Sequence, residues 1–456
     1  MDDTRRFDAI VIGAGQGGGP LAGAFAKAGR RTLLVERKHI GGTCINDGCT
    51  PTKTMIASGR VAYLARRAND YGVGTGDITI DLARVRKRKR DIVEQFRTGS
   101  EESLAKAGVE VEFGHARFIG PQTIEIEKPN GSRIEASADI IVINAGMRPL
   151  APNIPHLADV PYLDSTSIME LDAVPEHLIV LGGGYIGLEF AQLFRRFGSR
   201  VTIVHRGEQL LPREDPDIAT AVADVMRQDG IDLCLRANTT AVARTANDIT
   251  LATKTGDIVG SHLLVATGRT PNTDDLGVEA AGIDIDDKGF IKANARLETT
   301  APGVYVVGDV KGGPAFTHVS YDDFRILRSN LLQGGSASTD GRVLPYTVFI
   351  DPQLGRVGMT ETEARAAGFD VRVAHMPMSN VARALEMDEP RGVMKAVVDG
   401  HTKRILGAAV LGIEGGEIAA MLQLAMMGGL PFTTLRDGMF SHPTLSEALN
   451  NLFASI

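Results

Sequence analysis

The sequence predicts an α/β chain: two βαβ units of the dinucleotide-binding kind, followed by a smaller α+β domain. Three observations carry this expectation. An apolar strand runs into a glycine turn, a small-residue helix and a second strand at residues 7–36. The same order returns at residues 177–206. From Pro345 onward strands and helices alternate in a different order.

The chain has 456 residues, enough for about three domains of roughly 150 residues each. Residues 1–155 and 273–343 are expected to form one discontinuous domain, residues 156–272 a second and residues 344–456 a third. Net charge is −7, which argues against nucleic acid as a partner, because affinity for a phosphate backbone is built from clustered Lys and Arg. The basic run RVRKRKR at 84–90 lies in a helical pattern beside Asp81, Asp91 and Glu94 and reads as a solvated helix face. No apolar run approaches the length of a membrane span, and the first residues carry no leader-like apolar segment, so a cytoplasmic protein with no membrane partner is expected.

In chain order, FDAIVIG reads as a buried strand, LAGAFAKAG as a helix and RTLLVE as the next strand, ending at Glu36. Helical patterns cover roughly 51–69 and 81–107, then VEVEFGHARFIG, TIEIE and IIVINAG read as strands. HLIVLGGGYIGLEFAQLFRRFGSRVTIVHR repeats the opening unit, with LLVATGRTPNT and VYVVGDV as further strand ends. In the last domain YTVFI, VRVAHMPM, GVMKAVVD and ILGAAVLG are expected strands; TETEARAAG, EIAAMLQLAMMG and TLSEALNNLF are expected helices.

The 52 glycines include two patterned turns. In GAGQGG, Gly13 suits the tight turn, Gly15 the close approach of a pyrophosphate and Gly18 the packing of helix on strand. Glu36 stands 23 residues after Gly13, where a carboxylate can accept from a ribose hydroxyl. GGGYIG places Gly182, Gly184 and Gly187 in the same roles, but the matching position holds His205, followed by Arg206. A carboxylate would repel a ribose 2′-phosphate, whereas a guanidinium can pair with it, so NADPH is expected over NADH. Arg213 is an alternative cation for that role.

Cys44 and Cys49 are separated by four residues in GGTCINDGCTPTK. An ideal helix would place them about 7.5 Å apart along its axis, beyond the Cα spacing of about 4.4–6.8 Å that a disulfide tolerates. Distorted backbone is therefore expected at the first cysteine, with Gly41, Gly42 and Gly48 supplying the freedom and Pro51 in the first turn of the helix that carries Lys53. A thiol near a helix N-terminus is acidified, which suits a redox pair. Zinc is the rival, but no second ligand pair accompanies the two cysteines, so no resident metal is expected. Cys234, in the alternating IDLCLR, reads as a small apolar strand residue. His442 and Glu447 of SHPTLSE have the types of a general base and the carboxylate that orients it.

Taken together, GAGQGG with Glu36, GGTCINDGCTPTK, INAG, GGGYIGLE, ATGRTPNT, VYVVGDV and SHPTLSE resemble the flavin-dependent pyridine nucleotide-disulfide oxidoreductases over essentially the whole chain. That family includes lipoamide dehydrogenase, glutathione reductase and mercuric reductase. The resemblance implies two Rossmann-like domains, one for FAD and one for NAD(P), and a C-terminal α+β dimerisation domain. It implies FAD with its diphosphate at Gly13, Gly15 and Gly18, its adenosine ribose on Glu36 and its ribityl chain on Asp309. Gly42, Thr43, Gly146, Gly268 and Arg269 join the cofactor-binding positions. It further implies a redox-active Cys44–Cys49 disulfide, with Cys49 facing the flavin and Cys44 exchanging with substrate, and a Lys53–Glu189 ion pair beside the flavin. His442, held by Glu447, would reach the cysteines from the partner subunit, which implies a homodimer with shared active sites.

CTPTK, INAG and PAFTHVSYDDFRIL resemble mercuric reductase most. The adjacent cysteine pair that mercuric reductases carry near the C-terminus has no counterpart in LNNLFASI, so efficient mercuric ion reduction is not expected. Asp47 stands where the motif usually holds an apolar residue. The expected activity is NADPH-dependent reduction of a small disulfide or a thiophilic metal ion. The alternatives are a lipoamide dehydrogenase-type subunit of a multienzyme complex, a glutathione reductase-like enzyme, and a flavin oxidase with incidental cysteines.

Overall fold

A computed structural model describes residues 4–245 and 247–456. The chain forms two compact units, one from residues through Thr54 with 84–150 and 268–341, the other from residues 55–83, 151–267 and 342–456. Among the described residues no helix is long and apolar enough to cross a membrane.

In the first unit the strand Arg5–Ile12 lies between Thr32–Glu36 and Arg133–Ile143, parallel to both. Glu110–Phe113 extends the sheet beyond Thr32–Glu36, and Val304–Val306 adds to Arg133–Ile143. The central strand is apolar on consecutive residues because both of its faces are covered. Phe7, Ile10 and Ile12 enter one core with Leu33, Phe118 and Ile141. Ala9 and Val11 enter the other, against Leu21, Ala22 and Phe25 of the helix Gly18–Lys27. The basic run 84–90 sits on the helix Leu82–Ala107, where Lys87 pairs with Asp91 at 2.7 Å and Arg88 donates to the Thr54 carbonyl at 2.9 Å. It is thus partly a structural face.

The second unit holds a parallel sheet in the order Asp232–Cys234, Arg200–Val204, His177–Leu181, His262–Val265. Cys234 is the half-buried strand residue the alternation predicts, packed beside a core of Ile179, Leu181 and Val204. The C-terminal residues form a five-stranded antiparallel sheet ordered Pro345–Val348, Gln353–Gly358, Ile405–Gly412, Val393–Asp399, Val371–Pro377. Gln353–Gly358 is missing from the sequence reading. Its QLGRVG looks like a loop, yet its Arg356 is 2% exposed and faces the buried Glu214 carboxylate at 3.7 Å. The helix expected over TLSEALNNLF is confined to Ala448–Phe453.

One buried cation ties this unit together. Lys395, 2% exposed on Val393–Asp399, lies 2.8 Å from Asp217, 3.2 Å from Asp215 and 2.9 Å from Glu361. Lys395→Met leaves Asp215 and Asp217 facing each other without their cation, while Glu361 keeps only Arg365 at 2.8 Å. The expected loss is about 3 kcal/mol or more of unfolding free energy, read from denaturant titration.

Candidate active site

The first glycine turn is built from strand ends and one remote side chain. Gly13 donates its N–H to the Val35 carbonyl at 2.8 Å, and Ala14 donates to Glu36 Oε2 at 2.9 Å. The buried Asn144 accepts from the Gly18 N–H at 2.9 Å and donates to the Val307 carbonyl at 3.0 Å, joining turn, helix and two strands. A Cβ at Gly18 would stand 2.2 Å from the Gly13 carbonyl oxygen, so only glycine lets this helix close on its strand. Gly15 and Gly42 are in contact, which brings the turn against the short helix Gly42–Asn46 that carries Thr43 and Cys44.

These residues fit FAD. Among the described residues the N–H groups of Gly15, Gln16 and Gly17 have no acceptor, and the N-cap residue Gly17 has no side chain to cap the helix Gly18–Lys27. Such a helix start suits a diphosphate. The Asp309 carboxyl makes no hydrogen bond or ion pair among the described residues, and burial pushes its pKa up, against the pull of Arg269 and Lys311. A half-buried carboxyl lacking hydrogen-bond partners suits a polyhydroxyl chain. Gly268 accepts from the Leu150 N–H at 3.0 Å and Gly146 from the Asn272 N–H at 3.1 Å. Both belong to the strand ends around that carboxylate's unit.

Cys44 and Cys49 are both free thiols and hydrogen bonded to each other. The backbone distortion predicted at Cys44 falls on the glycines around it, with Gly41 and Gly42 at φ 101° and 63°, rather than on Cys44 itself. Cys44 is inside the helix Gly42–Asn46, and the break falls at Asp47, φ −135°, and Gly48, before Cys49 starts the helix Cys49–Arg66. At Gly48 a Cβ would stand 2.8 Å from the Thr43 carbonyl oxygen. That close approach folds the second helix back, so that both sulfurs meet. Asp47 occupies the break itself, a position that caps rather than packs.

The pair is electrostatically unequal. Its hydrogen bond to Cys49, then burial, then the Cys49 charge push the Cys44 thiol pKa up, opposed by Thr317 and by the Lys53 ammonium. Cys44 is therefore the thiol of the pair that holds its proton more tightly than an ordinary cysteine. Cys49 Sγ lies 3.4 Å from Thr317 Oγ1. Thr317 opens the helix Thr317–Leu332 and escaped the sequence reading, as did Asn144. Both lie within quoted motifs, PAFTHVSYDDFRIL and INAG, but nothing local in those motifs signals their contacts.

In the second unit Gly182, Gly184 and Gly187 join the strand His177–Leu181 to the helix Tyr185–Phe197. Gly182 donates to the Val204 carbonyl at 2.9 Å. His205 sits at the strand's end with its Nδ1 3.2 Å from the Gly183 N–H, and Arg206 is exposed beside it. Glu189 is buried, and its Oε1 accepts the Phe349 N–H at 2.9 Å. Lys53 belongs to the first unit and Glu189 to the second. His442 and Glu447 do meet: the two carboxylate oxygens lie 2.8 and 3.1 Å from Nδ1. The His442 side chain is 68% exposed.

A fold with two nucleotide turns and a thiol pair is matched by comparison with known proteins. The chain belongs to the pyridine nucleotide-disulphide oxidoreductase family, whose model matches residues 7–323 and whose dimerisation-domain model matches residues 344–453. It is similar to the Escherichia coli protein described as probable pyridine nucleotide-disulfide oxidoreductase RclA, 40% identical over 99% of each chain. A solved structure of that relative, a Cu(II) complex of the HOCl-induced flavoprotein disulfide reductase RclA, superposes with a TM-score of 0.91 at 39% identity, covering 99% of each chain. It is also 34% identical to a mercuric reductase of Bacillus cereus, over 97% of this chain and 70% of that protein. A dihydrolipoyl dehydrogenase of Thermus scotoductus is 36% identical, over 98% of this chain and 96% of that one.

The chain is therefore an oxidoreductase, a flavoprotein disulfide reductase of the RclA, mercuric reductase and lipoamide dehydrogenase kind. The family implies FAD and a pyridine nucleotide, and the dimerisation domain suggests a homodimer.

Proposed function

We propose that this flavoprotein uses NADPH to reduce a small disulfide or a thiophilic metal ion through Cys44 and Cys49. The mutual hydrogen bond of these thiols, with Thr317 and Lys53 bearing on them, is the observation that carries the reading. The flavin part would be residues 1–155 and 273–343, the nucleotide part 156–272 and the dimer part 344–456. FAD held by Gly13, Gly15, Gly18, Glu36 and Asp309 would supply the redox centre between nucleotide and sulfur.

The chain's own groups then divide the work. Cys44, held protonated, becomes a nucleophile only when a base removes its proton. In the proposed dimer His442 of the partner subunit is that base. Its Nδ1–H donates to Glu447, which leaves Nε2 to take the proton. With a disulfide acceptor, Cys44 attacks one sulfur and releases a thiol. Cys49 then attacks Cys44, releases the second thiol and closes the protein disulfide. With a thiophilic cation the two sulfurs act as ligands, and the dithiol closes to the Cys44–Cys49 disulfide, releasing two protons and passing two electrons to one Hg(II) or to two Cu(II) in turn. The E. coli relative's Cu(II) complex and the mercuric reductase similarity support this second class of acceptor. His205, where lipoamide dehydrogenases would be expected to keep an acid, weighs against the lipoamide alternative.

Steady-state turnover with NADPH and NADH against low-molecular-weight disulfides, Cu(II), Hg(II) and quinones tests the proposal. NADPH is expected to be preferred, with a disulfide or metal acceptor. A dominant response to NADH overturns the nucleotide assignment, and quinone turnover alone overturns the acceptor class.

A further inference from the structure

We propose that His205 is the positioning residue of the second nucleotide turn, replacing a carboxylate as acceptor of the turn's N–H. In this inference Gly183 and His205 form a matched pair that selects a phosphorylated adenosine ribose. It rests on the NADPH reading above and deepens it.

The two turns correspond bond for bond. Gly13 donates to the Val35 carbonyl at 2.8 Å, and Gly182 to the Val204 carbonyl at 2.9 Å. One residue on, Ala14 donates to Glu36 Oε2 at 2.9 Å, while Gly183 donates to His205 Nδ1 at 3.2 Å, each across 22 residues. An imidazole nitrogen accepts only when it carries no proton, so the ring is neutral with its hydrogen on Nε2. That Nε2 is buried without a hydrogen-bond partner.

The ring also explains two glycines. A Cβ at Gly183 would stand 2.8 Å from His205 Cγ, and one at Gly207 would stand 2.7 Å from Nε2. The narrower carboxylate of Glu36 lets the first turn carry Ala14 at the place of Gly183. The His205 backbone is pinned as well, donating to the Cys234 carbonyl and accepting from the Ala237 N–H, both at 2.9 Å.

Specificity follows from counting acceptors. Glu36 gives Oε2 to the turn, and its Oε1, which accepts from the Lys38 N–H at 2.8 Å, keeps a second lone pair for a ribose hydroxyl. Imidazole has a single acceptor, already used, and brings no negative charge against a phosphate. Arg206 makes no ion pair with a carboxylate among the described residues and is free to take that phosphate.

The charged group bearing on the ring is Arg206; Glu208 and Arg236 of the flanking segments pair with each other at 3.4 Å. Burial first, and Arg206 second, hold the His205 pKa below its ordinary 6.5. The acceptor is therefore intact at neutral pH. As pH falls through that lowered value the ring gains a proton on Nδ1, and the turn faces a donor instead.

The test uses the holoenzyme and four variants, His205→Glu, His205→Gln, Gly183→Ala and the double variant G183A/H205E. KM and kcat are measured for both nucleotides, and bound FAD is measured as the folding control. Gly183→Ala is expected to raise KM for both nucleotides about tenfold with FAD content unchanged. Adding His205→Glu is expected to recover the KM for NADH but not for NADPH, because alanine and glutamate then reproduce the pairing of the first turn. Wild-type KM for NADPH is expected to rise as pH falls through the lowered His205 pKa, and His205→Gln to flatten that rise. If Gly183→Ala binds nucleotide as wild type does, or the double variant recovers nothing, the pairing is wrong. A wild type that prefers NADH refutes the NADPH reading instead, and the double-variant rescue tells the two failures apart.

Discussion

Replacing Cys44 with serine is expected to lower kcat/KM for the acceptor by about 10³-fold or more, while NADPH still bleaches the bound flavin. The variant keeps everything the nucleotide and flavin need: both glycine turns, Glu36, and Cys49 with its contact to Thr317. It loses the sulfur proposed to attack the acceptor and then to close a bridge to Cys49. A serine hydroxyl forms no such bridge, so electrons reaching the pair have nowhere to go. Anaerobic absorbance spectra and steady-state rates on the same preparation read the two halves separately. Acceptor turnover near the wild-type rate would show that the thiols are bystanders.

The second large effect belongs to His442. His442→Ala is expected to reduce kcat by about 10²–10⁴-fold, the range of general acid–base catalysis, because Cys44 is held protonated by its hydrogen bond to Cys49 and by burial. Glu447→Gln should cost less, since it weakens the orientation of the ring without removing its base nitrogen. Mixing subunits separates a shared site from a self-contained one. A dimer of one Cys44→Ser chain and one His442→Ala chain holds one complete site if the base comes from the partner, and none if it comes from the same chain. Recovered activity in the mixed dimer is the expected result.

Much of this site is legible in the sequence because its chemistry is local. Strand, glycine turn, helix and strand follow one another within 30 residues at 7–36. The cysteines share one short segment, and His442 lies five residues from Glu447. What stays hidden is carried by distance. Thr317 reaches Cys49 across 268 residues, and Asn144 reaches the Gly18 N–H across 126. Neither contact leaves a pattern in its own neighbourhood. The cysteine spacing demands a distortion and the glycines Gly41, Gly42 and Gly48 offer it, but the spacing alone does not say which of them breaks the helix. The approach of Gly48 to the Thr43 carbonyl decides it. Gln353–Gly358 was hidden by its arginine, which reads as solvent-facing until the buried Glu214 carboxylate appears opposite it. At His205 the sequence shows a missing carboxylate, but only the structure shows the imidazole accepting the turn's N–H in its stead.

The most direct test is an anaerobic NADPH titration of the air-oxidised protein, with thiols trapped and mapped at each point. The account predicts that Cys44 and Cys49 are protected at the outset and become alkylated together as reducing equivalents enter, with Cys234 unchanged. Full reduction of the flavin with no new thiol at those two positions would contradict it.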